Sequence, residues 1–245
     1  MHGKLTTFGG FAKAAQRIFL DAVFPEWCLF CGAEGALVCP SCLLGLPFAV
    51  LHGCPFCDRV SMFGKTCDPC SNKTPLAGVF CFGLYHNPRL RQLVWALKYH
   101  GKRDLANLFA LKIAALLPGA MLGEASRLMI TAVPLHPTRR RERGYNQSEL
   151  IARAVGQCLA VEYDDLLDRV RSTAPQVELT TVADRLENVR AAFGILDRVP
   201  SERIVGRSVL LVDDVVTTGA TLTACARALK KAGAQSVWGL TILRG

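Results

Sequence analysis

Two adjacent carboxylates, Asp213 and Asp214, precede Thr217, Thr218, Gly219, Ala220 and Thr221 in the stretch VLLVDDVVTTGAT (209–221). The two halves of this stretch call for opposite ligands. Hydroxyls and a glycine at a helix start offer donors, free amide N–H groups and the positive end of the helix dipole, all suited to a phosphate. Paired carboxylates want hydroxyl donors such as a ribose diol, or a hydrated Mg²⁺, which prefers oxygen ligands and keeps much of its water. A ligand with a ribose ring and a 5′-phosphate satisfies both halves. The nucleotide loops G-x-x-x-x-G-K-[ST] and G-x-G-x-x-G are absent, so no lysine stands in this loop for a β/γ-phosphate pair. A buried strand capped by Asp and Thr without any ligand would explain a lone Asp-Asp, but not the whole pattern.

Thiols form the second group. Of eleven cysteines, eight fall in four C-x-x-C pairs: Cys28/Cys31, Cys39/Cys42, Cys54/Cys57 and Cys67/Cys70. Two thiolates spaced by two residues fit one tetrahedral Zn²⁺, and two such pairs complete its shell. Sequential pairing gives one site from Cys28, Cys31, Cys39 and Cys42 and another from Cys54, Cys57, Cys67 and Cys70; the spacing also allows an interleaved, cross-braced arrangement. No histidine is spaced to join and no ligand position stays open for water, so the metals are expected to be structural. Iron–sulfur clusters are the alternative for such sites. A module this small needs the metal to fold. Cys81, Cys158 and Cys225 stand alone in apolar surroundings and read as small core residues.

The third group lies in AVPLHPTRRRERGYNQSELIARAV (132–155). It reads as a strand, a Pro-bounded basic loop and a helix beginning near Asn146, with Glu149 in its first turn. Arg139, Arg140, Arg141 and Arg143 concentrate charge beside that helix start, a natural place for a diphosphate. Some of these arginines belong to a solvated face. Arg143, Tyr145, Asn146 and Gln147, punctuated by Gly144, read instead as a shaped site.

The Asp-Asp/Thr-Gly stretch resembles the 5-phosphoribosyl 1-diphosphate (PRPP) loop of type I phosphoribosyltransferases. The resemblance implies that Asp213 and Asp214 meet the ribose hydroxyls, as the catalytic carboxylates, and that Thr217 to Thr221 hold the 5′-phosphate. The R-G-Y-N-Q-S-E segment, together with LVWALKYHGKRDLA (93–106), APQVELTTVADRLENVRAAF (174–193) and the N-terminal cysteines, resembles the ComF family, named for competence for DNA uptake. That resemblance implies a type I phosphoribosyltransferase-like α/β fold with a parallel sheet behind a zinc-ribbon module, with Zn²⁺ in the ribbons and Mg²⁺ accompanying PRPP. It further implies that Arg143, Tyr145, Asn146 and Gln147 meet the diphosphate, that Lys98 and Lys102 line the mouth, and that residues 169–192 close over the site through Arg171, Gln176, Arg185 and Asn188.

Such groups need rigid supports. The run Val209–Val212 has the length and β-branched content of a buried strand, and Thr221–Lys231 has the composition of the helix after it. From Gly78 onward strands and helices alternate, the α/β signature. Strands are expected at Val79–Tyr85, Leu128–Val133, near Val161–Asp168 and at Ser236–Ile242. Helices are expected over Leu90–Tyr99, Asp104–Leu117, Asn146–Leu159 and Val182–Val189. Three parts follow: an N-terminal amphipathic helix (1–24), a double zinc ribbon (25–77) and an α/β domain (78–245).

Of the net charge of +9, residues 1–78 carry six basic against five acidic side chains and residues 79–245 carry twenty-three against fifteen. Phosphate-rich partners, single-stranded DNA among them, are therefore expected at the second segment. No apolar run reaches the length of a membrane span and no signal-peptide pattern is present, so the chain is expected in the cytoplasm. Two functions stay open: transfer of a phosphoribosyl group with release of diphosphate to an acceptor the sequence does not name, or non-catalytic binding of single-stranded DNA, with other DNA-uptake proteins as possible partners.

Overall fold

The structure, a computed structural model, describes residues 25–57, 59–117, 127–169 and 192–245. The expected helices within residues 1–24 and 182–189, and the closing loop with Arg171, Gln176, Arg185 and Asn188, lie outside the described residues. The chain divides into two compact units, Met1–Leu46 and Pro47–Gly245. In chain order the elements are α1 (Pro40–Leu44), α2 (Asp68–Ser71), β1 (Gly78–Cys81), α3 (Pro88–Tyr99), α4 (Leu105–Leu116), β2 (Leu128–Ala132), α5 (Pro137–Arg143), α6 (Gln147–Leu159), β3 (Leu167–Arg169), β4 (Phe193–Ile195), β5 (Ser208–Val216), α7 (Ala220–Lys231) and β6 (Ser236–Arg244).

Four parallel strands form one sheet in the order β1-β6-β5-β2. The apolar run Val209–Val212 is buried along its whole length, as a central strand covered on both faces requires. Helix α6 packs on β2, β5 and α4, while α7 packs on β4, β5 and β6. Below the candidate site, Val79, Met129, Leu211, Leu222, Cys225 and Val237 share one buried cluster. Burying such a side chain contributes roughly 1.5–3 kcal/mol, which makes this layer a stiff support.

The structure departs from the expected elements in four places. Strand β5 does not stop at Val212: Asp213 pairs with Thr241, and Val215 and Val216 pair with Leu243 and Arg244. The two aspartates therefore lie within a strand whose neighbour extends it. The basic loop after β2 is instead a helix, α5. Pro137 opens it, His136 Nδ1 accepts the Thr138 amide at 3.3 Å, and Gly144 closes it in the left-handed region at φ 74°. Proline at the start and glycine just past the end is a helix signature that the arginine run obscures. In place of the strand near Val161–Asp168 there is one parallel bridge, Ile130 to Tyr163, and then β3, which pairs antiparallel with the unforeseen β4. Finally, Cys81 and Cys225 are buried as expected, but Cys158 is exposed.

Candidate functional site

Successive strand residues point to opposite sides of the pleat, and Asp213 and Asp214 accordingly find different partners. Ser148 Oγ, in the first turn of α6, donates to Asp213 Oδ1 at 2.9 Å, and the Asp214 amide donates to the same oxygen at 2.9 Å. Burial and the neighbouring Asp214 charge push the Asp213 carboxyl up to about 7. Asp214 is 4% exposed, and its Oδ1 lies 2.7 Å from the Lys98 ammonium, itself mostly buried near the end of α3. Its Oδ2 is buried with no hydrogen-bond donor among the described residues. A buried carboxylate oxygen without a donor is costly and marks a place for a hydroxyl or a hydrated cation.

Beyond the strand, residues 217–219 turn into α7, with Gly219 at φ 73°. The first turn of α7 leaves amide N–H groups without intrahelical acceptors. Thr217, Thr218, Gly219, Ala220 and Thr221, with Asp213, line a small cavity of about 50 Å³ there. The glycine is required on two counts. Its φ suits few other residues, and a Cβ at this position would stand 2.6 Å from the Phe56 ring. Phe56 lies within the third C-x-x-C pair, so the second cysteine set backs the loop, a contact that no local pattern signals. Thr74 Oγ1 bonds Thr223 Oγ1 at 3.0 Å, Arg227 donates to the Lys73 carbonyl at 2.8 Å, and Arg244 donates to the Cys54 carbonyl at 3.2 Å.

A larger cavity of about 380 Å³ is lined by Lys98, Tyr99, Gly101, Arg139, Glu142, Arg143 and Tyr145. Lys98 and Arg143 thus face one space; Lys102 does not line it. Arg143 also donates to Gln147 Oε1 at 2.9 Å and lies over the Tyr99 ring. The other members of the R-G-Y-N-Q segment are committed to the fold. Asn146 caps α6 through the Ser148 amide at 3.1 Å and donates to the Val133 carbonyl at 3.0 Å. Tyr145 is 8% exposed, gives its hydroxyl to the Leu97 carbonyl and has the Arg103 guanidinium 4.5 Å from its ring centroid. It is not the open aromatic that its neighbouring arginines would suggest. Among those arginines, Arg140 pairs with Glu149 at 3.2 Å, while Arg139 and Arg141 are exposed and have no carboxylate partner among the described residues.

The cysteines gather sequentially: Cys28, Cys31, Cys39 and Cys42 in one group, Cys54, Cys57, Cys67 and Cys70 in another, each with its sulfurs within 4.8 Å of one another. The cross-braced alternative is not realised. A tetrahedral Zn–S shell of about 2.3 Å radius has edges of about 3.8 Å; the Cys31–Cys39 and Cys57–Cys67 sulfurs stand at 3.6 and 3.4 Å. In each set the second pair sits on a short helix with a proline in its first turn: Cys39 and Cys67 cap the N-termini, Cys42 and Cys70 lie within the helices, and Pro40 and Pro69 stand between. Four thiols so close cannot all ionise without a cation. Burial opposes ionisation of Cys28, but the amides of Cys39, Cys31 and Phe30 outweigh it and bring the thiol down to about 6. Burial and protons shared with its three partners push Cys42 up to about 12. Cys54 and Cys70 divide in the same way, at about 7 and about 12. Both groups can therefore hold a metal ion.

No helix among the described residues is long and apolar enough to cross a membrane. Residues 146–244 match the phosphoribosyl transferase domain. The chain is 31% identical over 200 residues to competence protein F of Haemophilus influenzae, covering 76% of this chain and 84% of that protein. It is 29% identical over 215 residues to DNA utilization protein YhgH of Escherichia coli K12, covering 80% and 92%. Among solved structures, glutamine phosphoribosylpyrophosphate (PRPP) amidotransferase from B. subtilis aligns with a TM-score of 0.39 and 18% identity over 60% of this chain, which spans 30% of that one. With a phosphoribosyl transferase domain, two four-cysteine groups and this relationship along most of its length, the chain belongs to the ComF family of competence protein F.

Proposed function

We propose that the chain binds PRPP with Mg²⁺ at the Asp213–Thr221 loop. The observation that carries this reading is the Asp214 carboxylate, buried near the end of α3 with one oxygen on Lys98 and the other without a donor among the described residues. Ribose hydroxyls supply donors to Asp213 and Asp214. The 5′-phosphate accepts from the first-turn amides of α7 and from the hydroxyls of Thr217, Thr218 and Thr221. The diphosphate extends toward the cavity that Lys98 and Arg143 share, with Tyr145, Asn146 and Gln147 fixing the position of Arg143's surroundings. Mg²⁺, when bound, neutralises diphosphate charge. Positioning and electrostatics dominate the chemistry that such a site can perform, which is displacement of diphosphate from the anomeric carbon by an incoming nucleophile. We take the metal in both four-thiolate groups to be Zn²⁺ and place the protein in the cytoplasm, where PRPP is made and used.

A second reading, binding of single-stranded DNA during uptake, is favoured by the exposed arginines of α5 and by the names of the relatives. It is compatible with PRPP binding. Calorimetric titration with PRPP and Mg²⁺ tests the first reading: the parent protein binds, and the Asp213→Asn/Asp214→Asn double variant does not, with its thermal midpoint retained. A double variant that binds like the parent overturns it. Diphosphate release against a panel of bases and amines then separates an enzyme from a binder.

A further inference from the structure

Helix α3 carries Arg91, Trp95 and Tyr99 at successive four-residue steps, which places them on one face. Trp95 is 51% exposed and Tyr99 60% exposed. Scattered exposed aromatics are ordinary, but these two are adjacent and held in place. Trp95 Nε1–H donates to Tyr85 Oη at 3.0 Å, the Trp95 and Tyr99 rings meet edge to face at 5.7 Å, and the Arg143 guanidinium lies 4.9 Å from the Tyr99 centroid. Trp95 borders a cleft of about 450 Å³ with Tyr85, Pro88, Arg91, Gln92 and His100. Tyr99 borders the cavity that contains Arg139 and Arg143. The aromatic strip therefore joins two hollows whose rims are cationic, Glu142 being the one carboxylate lining either. Arg91 is exposed and has no carboxylate partner among the described residues.

We propose that the Trp95–Tyr99 strip is a platform on which unpaired bases of single-stranded DNA stack, while Arg91 and Arg139 meet the flanking phosphates. Pre-set aromatic faces bordered by arginine are the chemistry that holds a single strand without reading its sequence. A protein partner matched to a cationic rim would contribute acids but would have no need of two ring faces. A duplex keeps its base faces stacked and cannot use them. The assignment rests on the DNA reading above and places the base contact on α3.

Fluorescence anisotropy with a labelled oligothymidylate, followed across a salt series, tests it. Trp95→Ala should weaken binding roughly tenfold at each salt concentration and leave the salt slope unchanged, because a ring contributes stacking and releases no counterions. Trp95→Phe should retain most of the affinity. Binding of duplex DNA and of PRPP by Trp95→Ala should equal that of the parent. Arg139→Ser/Arg140→Ser/Arg141→Ser should do the reverse, flattening the salt slope by roughly 0.7 for each phosphate that is no longer neutralised. If Trp95→Ala binds the single strand like the parent, or weakens on single strand and duplex alike, the platform is overturned while the DNA reading stands. Tighter binding of oligouridylate overturns the assignment to DNA. A parent that binds no single strand at low salt overturns the DNA reading and the platform together, with PRPP binding untouched.

Discussion

The two cysteine sets are alike in construction and different in what they adjoin. In each, one C-x-x-C pair forms a knuckle and the other caps and enters a short helix with proline in its first turn, with the four sulfurs drawn together. The first belongs to the compact unit Met1–Leu46; the second belongs to the unit that contains the sheet. Chain on either side of the second set continues into that sheet's hydrogen bonding, with the Leu51 amide on the Cys81 carbonyl at 2.8 Å and the Ala77 amide on the Val237 carbonyl at 2.9 Å. Its knuckle residue Phe56 lies against Gly219 of the loop that leads into α7. One metal motif can thus serve as a small domain in its own right or as a wall of a neighbouring site. The difference lies in which side chains on the knuckle find a partner.

The contrast predicts unequal consequences for equal losses of metal. Cys54→Ser should lower the zinc content from about two to about one per chain, reduce the thermal midpoint, and weaken PRPP binding at least tenfold by calorimetry. Cys28→Ser should lower the zinc content equally and leave PRPP affinity near that of the parent. Matching PRPP affinities in the two variants would erase the distinction between the sets. Gly219→Ala comes next. It forces a side chain into the left-handed region and against Phe56, at a cost of about 1–3 kcal/mol, and PRPP binding should weaken with it. Combining it with Phe56→Ala should recover part of that stability, since contacting sites are not additive. Phe56→Ala alone removes a half-buried ring. A full cavity would cost about 3–5 kcal/mol, so roughly 1–2 kcal/mol is expected here, read as a lower midpoint and a several-fold weaker PRPP affinity. Smallest is Thr74→Val, which deletes the hydroxyl pair with Thr223 for about 1 kcal/mol or less; denaturant titration measures it. An effect of Thr74→Val exceeding that of Phe56→Ala would show that the hydroxyl pair, not the ring, ties the second set to the loop's helix.

Much of the site is legible along the chain because its signals are local. The apolar run of β5, the acidic pair and the Thr-Gly start of α7 occupy one uninterrupted stretch, and each C-x-x-C pair brings its own two sulfurs together through a single turn. The Asn146 cap and the start of α6 follow for the same reason: a side chain satisfying amides two positions ahead needs nothing distant. The arginine run misled because charge speaks for solvent exposure and hides a helix marked only by Pro137 and Gly144.

Composition and spacing by themselves determine the α/β class, the Asp-Asp/Thr-Gly loop at a strand-to-helix turn and the capacity for two metal sites. Tertiary structure alone decides that the pairs combine sequentially, that Lys98 meets Asp214, that Tyr145 turns inward while Trp95 and Tyr99 stay open, and that Phe56 backs Gly219. Each of these depends on which surfaces meet across the folded chain. Hydrophobic burial is non-directional: it drives aromatic rings and helices together without naming their partners, so only the packed arrangement selects which ring is covered and which remains available to a ligand.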